Sequence, residues 1–238
     1  MIGLGTAINM GLIIGGSIIG LTCGRFMKEN LKQTLMVVCG IIVLLLGMSG
    51  AMQFMLVIVN GSLQTTGPLL MIISMVVGAV IGEIIDLDRW ITVFGDWVKA
   101  KTGNAGDPKF TQAFITASLT FTVGAMGVLG SIQDGLTGDY QTLLLKGILD
   151  GVIVMVMTSS MGKGALFSFI PVGTTQWMIT AMAHVAAPLM TQQAIDNLSY
   201  VGSILIFCVG INIIWPNKIR LANLLPAIFI AMGLTFLI

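Results

Sequence analysis

Residues 33–82 read QTLMVVCGIIVLLLGMSGAMQFMLVIVNGSLQTTGPLLMIISMVVGAVIG, 50 residues without one Asp, Glu, Lys, Arg or His. A helix needs about 20 apolar residues to cross about 30 Å of hydrocarbon, so this stretch holds two membrane spans, 34–58 and 67–86. Residues 1–24, 110–133, 197–217 and 221–238 are equally free of charge. Read outward from the first pair, the chain divides into eight candidate spans: 4–23, 34–58, 67–86, 111–133, 140–160, 165–190, 199–215 and 221–238. The runs are too long and too evenly apolar for barrel strands, which alternate over about 10 residues. The expected class is an all-α polytopic membrane protein with a single transmembrane domain over 1–238.

Composition agrees. Of 238 residues 56% are apolar and 9% charged, against about 25% charged in soluble domains. Eleven basic and ten acidic residues nearly cancel. A soluble enzyme, a nucleic-acid partner (there is no basic stripe) and a disordered chain are excluded. Cys23, Cys39 and Cys208 lie in apolar runs without metal or pairing spacing, and His184 is the single histidine. No cofactor or metal is expected. The opening residues lack the positive flank of a signal peptide and are read as a retained first span.

Basic residues orient the spans. With both termini outside, Arg25, Lys28, Lys32, Arg89, Lys99, Lys101, Lys109, Lys163, Lys218 and Arg220 all fall in cytoplasmic loops, as the positive-inside rule requires. The expected location is the cell membrane of a bacterium, with the lipid bilayer as the main partner. The span 165–190, with Pro171, Gly173 and Gln176, is the weak point: a re-entrant loop there would invert the last two spans. In the hydrophilic segment 87–110, Trp90, Ile91, Phe94, Trp97 and Val98 recur at helical spacing, which predicts an amphipathic helix in the membrane interface, followed by a linker.

The halves 1–86 and 111–190 resemble each other weakly, with 191–238 as two added helices. Gln33-Thr34-Leu35 opens the second span and Gln141-Thr142-Leu143 the fifth, and CGIIVLLLGMSG at 39–50 aligns with DGVIVMVMTSSM at 150–161. Because the two spans run in opposite senses, a true repeat would be inverted, as in many secondary transporters. Chance matching of apolar segments is the alternative. Both spans carry a Gly- and Ser-rich stretch, Gly47–Gly50 and Thr158–Gly162, and paired helix breaks of this kind point to a transporter binding site. On that reading Ser49, Gly50, Thr158, Ser159 and Ser160 would contact substrate. Close packing of small residues explains the same pattern without a break.

Lys146 and Asp150 share one face of the fifth span. Each costs about 2.5–3.5 kcal/mol near the bilayer centre, which suggests either a proton, cation or solute site or a buried packing pair. Asp134 and Gln133, and Glu83 and Asp86, are expected at helix ends in the headgroup region. Gly11, Gly15, Gly16, Gly20 and Gly24 of the first span, and Gly78 and Gly82 of the third, predict close helix contacts, either within the molecule or in a homodimer. Gly47-Met48-Ser49-Gly50 fits the serine motif of intramembrane proteases, with His184 as the sole candidate base. The missing glycines around His184 argue against that chemistry, and no enzyme activity is expected. Gly162-Lys163-Gly164 lacks the Ser or Thr of a phosphate loop.

The whole chain resembles an uncharacterised prokaryotic family of small integral membrane proteins that includes YqgA and YdfK. The resemblance rests on MIGLGTAINMGLIIGGSIIG followed by Arg25, on GEIIDLD at 82–88, and on the stretch from Phe110 to Asp139. It implies location and fold type and supplies no site residues. From the residues themselves, the expected function is secondary transport of a small solute or ion with proton or cation coupling at Asp150. A non-transporting membrane scaffold or regulator is the rival.

Overall fold

Inside hydrocarbon a backbone N–H or C=O finds no water, so each apolar run closes its hydrogen bonds on itself as a helix. The computed structural model describes residues 2–122, 125–183, 191–216 and 218–236. In chain order it holds α1 (Leu4–Gly24), α2 (Glu29–Met55), α3 (Pro68–Ile85), α4 (Leu87–Lys101) and α5 (Phe110–Thr122). Then come α6 (Ala125–Thr137), α7 (Gln141–Met161), α8 (Phe169–Ala181), α9 (Gln192–Ile214) and α10 (Pro226–Leu234), with 3₁₀ turns at Lys163–Ser168 and Leu221–Leu224. Among the described residues α1, α2, α3, α7 and α9 are each long and apolar enough to cross a membrane, and α5 with α6, bent by 61°, makes a sixth span if the two are one. The candidate spans 165–190 and 221–238 are carried by the shorter α8 and α10.

Burial is inverted relative to a soluble protein. Ile84 and Phe229 are 79% and 69% exposed, whereas Thr6, Asn9 and Asp134 are fully buried. Lipid solvates the former, and the latter must find partners inside.

Helix directions follow from which residues meet. Along α1 and α7, Gly5 faces Leu143, Gly16 faces Gly151 and Gly24 faces Ser159, so the two run parallel. Gly40 meets Ile213 and Gly50 meets Ser203, so α2 and α9 are antiparallel; Gly78 meets Ala227 and Gly82 meets Asn223, so α3 and α10 are too. Gly164, just before α8, packs on Phe110 at the start of α5, while Gly173 packs on Met10 and Gly3 lies by Trp177. The run from Lys163 through α8 therefore traverses the bundle from the α5 start to the α1 start and does not turn back within the described residues. The ten loop lysines and arginines gather at one end of the bundle, while Asp139 and Asp196 lie at the other.

The glycines of the first and third spans serve contacts within the chain. A Cβ at Gly16 would sit 2.2 Å from the Gly151 carbonyl oxygen, and one at Gly20 would sit 2.2 Å from that of Met155. Only backbone-to-backbone packing of the small-xxx-small kind allows such approach. Gly11 and Gly15 have nothing within 4 Å of such a Cβ.

Two expectations are corrected. First, the class is all-α as expected, but the second span stops at Met55, short of residue 58. Leu56–Val59 and Ser62–Thr65 form an antiparallel hairpin, Val59 opposite Ser62. Asn60 and Gly61 take φ of 51° and 78°, the left-handed pair that a two-residue Asn-Gly turn requires. Second, α2 is helical through Gly47–Gly50 and α7 through Thr158–Met161, so neither helix is broken there. An open backbone in lipid costs several kcal/mol per unpaired group, which outweighs the about 1 kcal/mol helix penalty of a glycine. The hydroxyls also bond back to the helix: Ser49 Oγ donates to Leu46 O, Thr158 Oγ1 to Val154 O and Ser159 Oγ to Val156 O. α7 ends one residue later, at Gly162, whose φ is 92°. In the fourth span, α5 and α6 are set at 61° to each other. Asp134, near the end of the fourth span, is turned into the protein. It is fully buried, and its Oδ2 accepts the Gly5 N–H at 3.1 Å in the first turn of α1. There the helix's positive end favours a carboxylate.

α4 follows α3 through Asp86, whose φ of 54° turns the chain. Val98 and Gly95 bury against α5, with Phe94 packed on Phe114, while Trp90 and Trp97 are 66% and 55% exposed. Aromatic residues pointing outward beside Lys99 and Lys101 are what an interfacial helix presents. At the same end Arg220 clasps Glu83 (2.5 Å), Asp86 and Asp88, and Asn223 Oδ1 accepts the Asp88 N–H at 2.7 Å. This ties α3, α4 and the Leu221–Leu224 turn together.

Candidate functional site

Two buried charges stand together on α7. Four residues apart, Lys146 and Asp150 point the same way and form an ion pair, with side chains 8% and 9% exposed. The helix can place them there because Gly147 and Gly151 lie flush against α1, leaving the neighbouring positions to face the interior.

The pair opens on a cavity of about 430 Å³ between α2, α5, α6, α7 and α9. Gly50 of α2, Thr120 and Phe121 of α5, Met126 of α6, and Ser199 and Ser203 of α9 line it with Lys146 and Asp150. α2 and α7 come together at the basic end, where Ser160 Oγ donates to the Lys32 carbonyl. Nearer the other end the cavity lies between them, and Leu46 and Leu149 on its wall are 51% and 46% exposed. The walls are otherwise apolar, which strengthens any electrostatic contact made inside.

On the other side of the pair lies a buried polar layer. Asn9 of α1 stands beside Asp150, and its Cα would lie 3.0 Å from a Cβ on Gly147. A Cβ on Gly127 of α6 would be 3.4 Å from Lys146 Cε and 3.9 Å from Gln176 Nε2 of α8. Asn9 and Gln176 are fully buried or nearly so; Asn9 reaches toward Asp150, and among the described residues neither side-chain amide meets a partner at good hydrogen-bond geometry. Two buried carboxamides therefore flank the ion pair.

Of the residues singled out in the sequence, Lys146, Asp150 and Gly50 share this cavity. Ser49 lies on the exposed side of α2, bonded to its own helix. Thr158 touches Gly20 of α1, and Ser160 bonds to the start of α2, both toward the basic end and away from the cavity. Ser199, Ser203, Asn9 and Gln176 do not stand out in the sequence as site residues. The one signal they carry is that of lone polar groups in apolar runs, which marks helix contacts as readily as sites. His184 lies outside the described residues, and among those described no cluster of metal-ligating side chains occurs.

Fold and site define a multi-pass α-helical membrane protein with a charged pair buried in its bundle. The chain matches the family described as "Protein of unknown function (DUF554)" over residues 4–236 and belongs to it. It is 29% identical to the "Uncharacterized membrane protein YdfK" of Bacillus subtilis (strain 168) over 235 residues, covering 98% of this chain and 96% of that one. It is 25% identical to the "Uncharacterized protein YqgA" of Escherichia coli (strain K12) over 240 residues, with the same coverage. No solved structure matches.

Proposed function

We propose that the protein is a small-solute secondary transporter of the bacterial plasma membrane, coupled to protons or another cation. One observation carries this reading: Lys146 and Asp150 are buried together on the wall of a cavity large enough for a small molecule. Ionisable residues within a membrane bundle normally mark an ion or substrate path. Asp150 is the group at which the coupling ion is taken up. The chain crosses eight times, α8 and α10 serving as short spans, with the basic end in the cytoplasm and both termini outside. The antiparallel course of α2 and α7, which meet at Lys32 and Ser160, fits an inverted repeat of 1–86 and 111–190. The two helices are continuous at 47–50 and 158–161, so the site is built from side chains and no unwound backbone is invoked.

Purified full-length protein in liposomes loaded with a pH-sensitive or a sodium-sensitive dye, under an imposed inside-negative potential, should admit protons or sodium. Asp150→Asn should reduce that flux to the level of protein-free liposomes. Flux that survives Asp150→Asn, or none from the wild type, overturns the reading. The rival scaffold reading is favoured by the mutual i,i+4 pairing of the two charges. It predicts that Lys146→Asp with Asp150→Lys leaves the protein fully functional in cells, whereas a coupling site should not tolerate the exchange.

A further inference from the structure

We infer that the cavity binds an apolar-bodied zwitterion, a molecule carrying an ammonium and a carboxylate on neighbouring carbons with an aliphatic or aromatic side group. This rests on the transporter reading and names its substrate class.

The pair itself sets the chemistry. Lys146 and Asp150 neutralise one another in a site almost closed to water. A ligand bearing one charge can reach its partner only by leaving the other residue buried and uncompensated, a strongly unfavourable state. A neutral ligand can only hydrogen-bond to the two groups and cannot replace either charge. A ligand with both charges inserts into the pair: its carboxylate takes Lys146 Nζ, its ammonium takes Asp150, and no charge is left alone.

Two further observations fit. Asn9, beside Asp150, and Gln176 flank the pair with buried amides that lack a well-aligned partner among the described residues, and they can accept remaining ammonium protons or donate to a carboxylate as the pair separates. On the opposite side Val43, Phe54, Phe121, Met126 and Ile153 line the cavity, an apolar bed for a side group. The half-exposed Leu46 and Leu149 bound a seam through which a longer chain can extend toward lipid.

The test is equilibrium binding of radiolabelled L-leucine to the full-length protein in detergent, with competitors. Leucine should bind saturably. The isosteric acid 4-methylpentanoate and the amine 3-methylbutylamine should compete at least about a hundredfold more weakly, because each leaves one charged residue unpaired. Lys146→Met with Asp150→Leu removes both charges at similar volume, a replacement that buried pairs usually tolerate. It should keep the melting temperature and abolish leucine binding. A long-chain analogue, 2-aminodecanoate, separates two sources of the same chemistry: tighter binding than leucine means a bilayer-borne amphiphile, weaker binding a water-borne solute. The inference is overturned if neither zwitterion binds, if the singly charged analogues compete as well as leucine, or if the double variant binds unchanged. Should Asp150-dependent ion flux persist while no zwitterion binds, the transporter reading stands and this substrate class falls.

Discussion

Lys146–Asp150 and the cluster around Arg220 use the same chemistry in opposite surroundings. The first pair is buried in the middle of α7, its two side chains under a tenth exposed. The second joins Arg220 to Glu83, Asp86 and Asp88 at the basic end, with side chains 35–51% exposed. Water and salt screen the Arg220 cluster, so its attraction is small and its use is to hold α3 and α4 in place. Around the α7 pair the low dielectric magnifies both the attraction and the cost of losing a partner. A bundle needing only a clamp has one at the Arg220 end. Charge kept in the interior, beside a cavity, is what calls for a function.

That contrast can be broken most directly at Lys146. Replacing it alone by Met leaves Asp150 buried without a counter-charge and should lower stability by about 3–5 kcal/mol, read as a fall in the melting temperature in detergent. Adding Asp150→Leu should restore stability to the wild-type level or above. A double variant as unstable as the single one would mean that the pair acts as packing glue. At the other end, Asn223→Ala removes the acceptor of the Asp88 N–H and should cost about 1 kcal/mol, again by melting. Of similar size is Arg220→Ala, at about 0.2–1 kcal/mol for each of the three pairs lost. Its signature is a difference from wild type that shrinks as salt rises, whereas the penalty of Lys146→Met should hardly respond to salt. Equal salt sensitivity at both sites would show that water reaches the α7 pair freely.

Much of the architecture was legible because lipid punishes unpaired backbone and free charge alike. The uncharged run at 33–82 resolved into α2 and α3, and the ten basic residues did gather at one end. The amphipathic face of 87–110 became α4, with its tryptophans outward. What misled was the reading of Gly47–Gly50 and Thr158–Gly162 as breaks. Glycine in a membrane helix signals both unwinding and close approach, and these two uses share one spelling. At Gly47 the second holds: a Cβ there would lie 2.3 Å from the Phe207 amide nitrogen of α9. The Asn60-Gly61 turn was readable as a hairpin signal but lay hidden in a run that apolar content alone assigned to a span.

The candidate site was half legible. Lys146 and Asp150 stand out because charge is rare in these runs and their spacing puts them on one helix face. Their surroundings could not be read. That Ser203, Thr120 and Gly50 converge on them, while Ser49 faces away and Ser160 ties down the start of α2, depends on contacts between residues far apart in the chain.

The chain alone determined that it lives in a bilayer as helices, and that Lys146 and Asp150 had to be sheltered together. These are properties of single segments meeting a solvent, set by hydropathy and charge. Tertiary structure alone decided that the sheltered charges border a cavity backed by two buried amides, and that the glycine-rich stretches pack instead of opening. Those outcomes depend on the rotation and distance of each helix relative to its neighbours, and local composition carries no record of either.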